Sequence, residues 1–194
     1  MSQRSEKERA LDAYLAAAAR TGDRAALGRL VERWHGKLLA HAWRMTGQRE
    51  LAADVVQEAW ADVIRGIGGL DDVAAFPSWA YRIVTRRCAR AVGSLKRRRD
   101  GQAALQREPQ AQPLDVGLPE MSAEMDLVRA AMAELPAGQR AALALFYLEG
   151  LRVAEVAVAL DLPIGTIKTR LMHARNKLRA RLQEPQGEDD EQAG

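Results

Sequence analysis

A helical repeat of apolar residues runs through almost every segment of this chain and leaves little room for other secondary structure. Alanine and leucine, both strong helix formers, are abundant. No segment alternates apolar and polar residues with the β-branched and aromatic types that strands favour. In one stretch Val55, Ala59 and Val63 recur at a spacing of four, which places them on one face of a helix. We therefore predict an all-α protein.

Helix boundary signals divide the first hundred residues into four predicted helices. Thr21-Gly22 ends the first, Asp23 is suited to the N-cap of the second, and Gly47 ends it. Residues 68–75 are predicted to form a loop because they combine Gly68-Gly69 with Asp71-Asp72. The predicted helices cover Glu8 to Arg20, Arg24 to Thr46, Glu50 to Ile67, and Pro77 to Arg99.

The second half of the chain begins with a change in composition. Residues 100–121 contain three prolines, several glutamines and few large apolar residues, so we expect a flexible linker there. A second helical block follows over residues 122–183, divided at Pro136, Gly150 and Pro163. Residues 184–194 are acidic and lack a large apolar anchor, so we expect a disordered tail. The expected architecture is two small helical domains, 8–99 and 122–183.

Positive charge is concentrated in two segments although the whole chain carries only +3, from 29 basic and 26 acidic residues. Arg82 to Arg99 contains eight cations and no acid, and Leu162 to Gln183 contains six cations and no acid. Two such segments suggest two contacts with a polyanion such as DNA. The alternative is a pair of solvated basic faces.

Several classes of protein are not indicated by the sequence. The histidines are scattered, and there is no glycine-rich phosphate loop or nucleophile-base pair, so we expect no enzyme, cofactor or metal site. The single Cys88 lies on an apolar helical face and is expected in the core. The longest apolar run, Ala141 to Leu148, has 8 residues, and the first residues lack a signal-peptide core. We expect a cytoplasmic protein with no membrane insertion.

A helix-turn-helix is predicted near the end of the chain. Its first helix covers Val153 to Leu160, its turn is Asp161-Leu162-Pro163, and its second helix starts at Ile164. The second helix would present Lys168, Thr169, Met172, His173 and Arg175 early along its outer face. A recognition helix offers side chains to the major groove from this position. Packed helix pairs also occur in proteins that never touch DNA, so the acid-free outer face is what favours DNA binding.

Four motifs in the same order resemble the extracytoplasmic-function sigma factors of bacterial RNA polymerase. The stretch Gly165 to Leu171, followed by His173-Ala174-Arg175, is similar to that family's C-terminal signature. Thr21-Gly22-Asp23 resembles the family's opening, and Asp54 to Glu58 resembles its polymerase-binding helix. Ala75 to Ile83 resembles its promoter-melting segment. The resemblance covers about residues 10 to 183, and it implies a dissociable factor that directs promoter-specific initiation and is held inactive by an anti-sigma factor.

The resemblance also implies roles for particular residues. Core polymerase would be bound by Asp54, Gln57 and Glu58. The minus-10 element would be bound, with one base extruded from the stack, by Asp71, Asp72, Val73, Ala74, Ala75, Phe76, Trp79, Arg82, Arg86 and Arg90. The minus-35 element would be bound by Thr166, Lys168, Thr169, Arg170, Met172, His173 and Arg175. The alternatives are that Asp54, Gln57 and Glu58 form a solvated face without a partner, and that Phe76 and Trp79 are core residues.

The sequence departs from the family pattern at three positions. Arg86 and Arg90 stand where the family usually has asparagine and aspartate, which affects the expected minus-10 preference. Arg152 stands where many members have a serine or threonine cap, and the missing cap costs about 1 kcal/mol of helix stability.

Two other functions are also compatible with the sequence. One is a sigma-like decoy that binds an anti-sigma protein without engaging DNA, and the other is an ordinary two-domain repressor or activator.

Overall fold

The computed structural model describes residues 5–102, 128 and 130–183, and in those residues the only regular elements are helices. This confirms the predicted all-α fold. The predicted tail, nearly all of the predicted linker and the start of the second block lie outside the described residues. The helices are α1 (Glu6–Arg20), α2 (Arg24–Thr46), α3 (Arg49–Gly66), α4 (Phe76–Gln102), α5 (Ala137–Tyr147), α6 (Val153–Leu160) and α7 (Ile164–Gln183), with 3-10 turns at Ile67–Gly69 and Val73–Ala75.

Local capping explains where the first helices begin and end. Ser5 and Glu8 form a reciprocal capping box at the start of α1. The Asp23 carboxylate accepts hydrogen bonds from Ala25 N and Ala26 N at 2.8 and 3.0 Å, as its predicted role as N-cap requires. Gly47 ends α2 with φ +71°, a left-handed conformation that glycine adopts without strain.

The first block, α1 to α4, packs around the indole of Trp34. Phe76 and Tyr81 meet this ring edge to face, with centroids 5.8 and 5.7 Å away. Val55, Ala59 and Val63 of α3 are buried as the apolar repeat predicts, as is Trp60, which that repeat did not single out. Cys88 is buried as predicted, and burial raises its pKa to about 12, so it stays a thiol.

The second block contains the predicted helix-turn-helix in α6 and α7. Val156, Ala157 and Leu160 of α6 are buried, as are Ile167, Leu171 and Ala174 of α7. Arg152 supplies no side-chain cap to α6, as predicted, but its backbone N–H donates to the Glu155 carboxylate at 2.6 Å. The acidic side chain three residues on therefore offsets part of the missing cap.

The described parts of the two blocks lie against each other and share a continuous apolar core. Helix α4 of the first block packs on α6 of the second, and α2 packs on α5. An apolar repeat does not show which outer faces of helices meet, so this contact between the blocks could not be predicted from the sequence. In the described residues no helix is long and apolar enough to cross a membrane.

Candidate nucleic-acid and polymerase interface

The outer face of α7 carries the predicted recognition residues at its N-terminal half. Ile167, Leu171 and Ala174 point into the core, so Lys168, Thr169, Met172 and His173 are exposed on the opposite side. Met172 leaves 47% of its surface exposed on this side. The Thr169 hydroxyl donates to Gly165 O at 3.1 Å, which fixes its rotamer on this face.

Three other predicted residues of α7 are half-buried or make contacts within the protein. Arg170 is half-buried, and a Cβ added to Gly138 of α5 would lie 2.6 Å from its Nη1 atom. Arg170 therefore lies over the start of α5 and away from the exposed face. The Arg175 Nε atom donates to Leu171 O at 3.2 Å, and Thr166 is half-buried. The spacing of residues in the sequence did not show that the Arg170 side chain packs against α5.

The loop before α4 is held by hydrogen bonds from α1 and by a hydrogen bond within the loop itself. Arg20 of α1 donates to Leu70 O at 3.1 Å and to Asp71 O at 3.4 Å. The Asp72 carboxylate accepts from Ala74 N at 2.9 Å, which caps the short turn. Asp71, Asp72 and Ala74 are exposed, whereas Val73 and Ala75 are half-buried. The segment therefore forms an ordered ridge with polar side chains outward, and its anchor Arg20 was missed in the sequence.

The two aromatic residues beside this loop have different surroundings. Phe76 has 0% of its surface exposed, so the structure removes it from the predicted DNA-binding set and places it in the core. The physical reason is its edge contact with Trp34, which encloses the ring. Trp79 is half-buried and lies against Gly66, where an added Cβ would stand 3.1 Å from the indole. Trp79 is therefore less enclosed than Phe76.

The basic face of α4 meets the turn of the helix-turn-helix. Arg82 donates to Asp161 Oδ1 from Nε at 3.0 Å and from Nη2 at 2.6 Å, and Arg86 Nε donates to Oδ2 at 3.0 Å. The hydrogen bonds from Arg86 and then Arg82 hold the pKa of Asp161 below its usual range. Arg90, one turn further along α4, is exposed.

The acidic face of α3 is exposed at all three predicted positions, Asp54, Gln57 and Glu58. Glu58 is paired with Arg87 of α4. Arg87 also reaches Asp62 at 2.6 Å, and hydrogen bonding to Asp62 raises the Arg87 pKa. Sequence reasoning counted Arg87 only as a basic residue. The signal that could have identified it was the acidic pair Glu58 and Asp62 at a spacing of four.

An apolar groove of about 510 Å³ lies beside this acidic face, between α2 and α3. It is lined by Leu39 and Trp43 of α2 and by Ala53 of α3, among others. Arg49 lies over the Trp43 ring, 5.3 Å from its centroid. Glu50 also lines the groove and stands one turn before Asp54 on α3, so the groove borders the acidic face.

Fold and surface together define a helical protein with a helix-turn-helix in one block and a basic helix beside an acidic face in the other. Two family models match the chain: Sigma-70 region 2 over residues 30–98 and Sigma-70 region 4 over residues 125–178. The chain belongs to the extracytoplasmic-function family of RNA polymerase sigma factors, as its sequence motifs predicted. Members of this family are transcription initiation factors.

Similar proteins match over most of the chain. The sigma factor SigM of Mycobacterium tuberculosis is 35% identical over 172 residues, which are 86% of this chain and 82% of SigM. The sigma-E factor of Escherichia coli is 28% identical over 185 residues, 91% of this chain and 96% of the relative. The structure of CnrH in complex with the cytosolic domain of CnrY has a TM-score of 0.60 and 27% identity, covering 89% of this chain and 97% of CnrH.

Proposed function

We propose that this sigma factor binds core RNA polymerase through the α3 face and promoter DNA through one surface on each block. The observation that carries the proposal is the presence of one acid-free basic helical segment in each of the two helical blocks. Each block supplies a rigid helix for one contact, and the two contacts can address two elements of one promoter. An ordinary two-domain repressor or activator would not need the exposed acidic helix Asp54 to Glu58.

In the second block, α7 reads the minus-35 element. Lys168, Thr169, Met172 and His173 share one exposed face near the start of the helix, which is the part of a recognition helix that reaches base edges. Arg175 follows one turn later and neutralises phosphate. Thr166 and Arg170 are half-buried and support the helix in place of contacting bases.

In the first block, the loop and α4 address the minus-10 element. Asp71, Asp72 and Ala74 are exposed on the loop, and the half-buried Trp79 offers a ring edge beside them. Extruding a base costs a few kcal/mol of lost stacking, which a shaped pocket next to an aromatic ring offsets. Phe76 is buried beneath the loop and supports it by packing. Arg82, Arg86 and Arg90 supply the positive charge.

Core polymerase is contacted by the acidic face of α3. Asp54 and Gln57 project into solvent, and Glu58 does so while paired with Arg87. An exposed acidic helix face suits a basic partner surface, because the complementary charges steer association. The apolar groove beside Asp54 supplies area that can be buried in the same contact.

An anti-sigma protein in the cytoplasm is the proposed regulator. The structurally similar CnrH was solved with the cytosolic domain of CnrY, so a protein of this shape can be held by a partner segment. A decoy that only binds such a partner would have no use for an acid-free recognition helix, which disfavours the alternative function. An ordinary repressor would not need the exposed acidic face of α3.

Reconstitution with core polymerase tests this function. Purified chain and core enzyme are incubated with genomic fragments, and transcript starts are mapped. We expect starts at a defined set of sequences only when the chain is present. A decoy gives no specific transcripts, and a repressor or activator binds DNA without core enzyme but gives none either. Absence of chain-dependent starts, with confirmed binding to core, contradicts the proposal.

A further inference from the structure

The Asp161 carboxylate lies between two arginines that the proposed function assigns to promoter DNA. Three guanidinium N–H groups, two from Arg82 and one from Arg86, donate to its two oxygens over 2.6 to 3.0 Å. Asp161 belongs to the turn between α6 and α7, 79 residues from Arg82 along the chain. The contact therefore joins the DNA surface of one block to the turn of the other.

The chemistry of this contact matches that of a nucleic-acid phosphate. A guanidinium fork binds planar or tetrahedral oxyanions through paired N–H groups, and carboxylate and phosphate compete for the same geometry. Arg82 and Arg86 stand one turn apart on α4, so both can reach one anion from the same side. While Asp161 accepts these three hydrogen bonds, the N–H groups that donate them are not available to a DNA phosphate.

We propose that Arg82 and Arg86 form a binding site for one backbone phosphate of promoter DNA, and that Asp161 fills this site in the free chain as an internal inhibitor. The proposal rests on the proposed function, since it assigns α4 to DNA. It adds that the helix-turn-helix turn must leave α4 before the first block can bind its DNA element. The chain would thus restrain itself without another protein.

Other polar contacts hold the same two blocks together. Arg9 of α1 donates to Glu155 Oε1 at 2.9 Å and to Gly150 O at 3.0 Å. Lys37 of α2 lies 3.3 Å from the carboxylate of Glu149, which is buried just before α6. Each of these contacts joins a residue of the first block to a residue of the second block. Arg9 lies outside every surface assigned to DNA or polymerase.

The closed arrangement also contains a group that disfavours it. Arg44 of α2 is buried at the contact with the second block, and its Nε atom has no hydrogen-bond partner in the described structure. Burial lowers the pKa of Arg44, and its one acidic partner, Glu149, is 4.0 Å away. A buried and incompletely bonded cation is costly, so separation of the blocks regains its hydration. The closed form is therefore able to open.

The variant Asp161→Asn tests the inhibitor directly. Asp161 has φ +56°, a left-handed conformation that asparagine adopts readily, so this change removes the charge with little backbone strain. The matched control is Glu32→Gln, which removes one exposed acid from α2. Binding of each full chain to a short fluorescent duplex of mixed sequence is titrated without polymerase. We expect Asp161→Asn to bind about threefold to tenfold more tightly than the control.

A second variant separates release of the blocks from a simple change in charge. Arg9→Gln removes a cation, so general electrostatics predicts weaker binding to DNA. Release of the Glu155 and Gly150 contacts predicts tighter binding and a larger radius of gyration in small-angle scattering. The two explanations therefore differ in sign. The matched control is Arg29→Gln, which removes an exposed cation from α2 and should only weaken binding.

The results also distinguish this inference from the proposed function. If wild-type chain with core polymerase gives specific transcripts, but Asp161→Asn binds DNA no more tightly than Glu32→Gln, the internal inhibitor alone is wrong. The same conclusion follows if Arg9→Gln weakens binding as much as Arg29→Gln does. If no variant or wild type supports specific transcripts while Asp161→Asn still tightens DNA binding, the inhibitor stands and the initiation function fails.

Discussion

His41 Nε2 lies 2.9 Å from Thr85 Oγ1 in the fully buried space between α2 and α4. The edge of the imidazole also meets Tyr81, with ring centroids 5.1 Å apart. Burial, and secondly the charge of Arg44, lowers the pKa of His41 to about 3. The imidazole is therefore neutral in the folded chain throughout the physiological range, and α4 is fixed to α2 by an uncharged contact.

Acid should destabilise the fold through His41. The unfolded chain takes up a proton near the ordinary histidine pKa of about 6.5, whereas the folded chain does not do so until about pH 3. The stabilisation is therefore complete above pH 6.5 and is lost as the pH falls, by up to about 1.4 kcal/mol per pH unit. Urea unfolding at closely spaced pH values between 6.5 and 5.5 measures this slope, because few carboxylates titrate there.

A pair of histidine variants checks the assignment. His41→Gln should flatten the pH dependence of the unfolding free energy in this window, although it lowers stability at neutral pH. His35→Gln replaces an exposed histidine on the same helix and serves as the matched control. An unchanged slope in His41→Gln would assign the acid sensitivity to other groups.

Substitution of Asp54 should change the affinity for polymerase alone, whereas substitution of Glu58 should change stability as well. Asp54→Lys reverses an exposed charge and is expected to weaken binding to core polymerase about tenfold with unchanged helicity. Glu58→Lys places a cation beside Arg87 and should lower stability as well. Affinity for core enzyme is measured by fluorescence anisotropy with Glu32→Lys on α2 as the matched control. Equal affinities for Asp54→Lys and the control would remove α3 from the interface.

Phe76 should act on folding alone. Phe76→Leu removes the edge contact with Trp34 and leaves a small void, at a cost of about 1 to 3 kcal/mol in the free energy of unfolding. DNA affinity, corrected for the folded fraction, should match that of the wild type. Trp79→Leu alters a half-buried ring and should instead reduce open-complex formation. Loss of DNA affinity in folded Phe76→Leu would restore Phe76 to the DNA surface.

The helices and their ends could be predicted because they depend on local chemistry. Asp23 and Gly47 mark their helix ends by a side-chain cap and a left-handed residue, and both signals are readable within a few positions. The inward residues of α3 follow from a repeat of 3.6. The spacing of three residues between Phe76 and Trp79 favoured an inward position for both, and Phe76 is indeed buried, whereas Trp79 is only half-buried.

The contact between the blocks could not be read from the sequence. Arg82 and Asp161 are 79 residues apart, and each had a local explanation, one in a basic segment and one in a turn. Arg170 shows the same limit, since it follows the spacing of a recognition residue while its guanidinium lies against Gly138. Long-range packing selects among faces that the local pattern leaves equivalent.

The recognition helix should separate sequence-specific affinity from general affinity. His173 is exposed on the reading face, so His173→Ala should cost roughly 1 to 3 kcal/mol on the best promoter and much less on unrelated DNA. Thr169→Ala should behave similarly, reduced by the part of its hydroxyl bonding that goes to Gly165. Arg179 lies later on α7 and is exposed. Arg179→Ala should weaken all sequences equally and lower the salt slope by about one unit, because one counterion fewer is released. Titrations at several salt concentrations, on promoter and scrambled duplexes, distinguish the two patterns, and equal losses on both duplexes for His173→Ala would place the reading face elsewhere on α7.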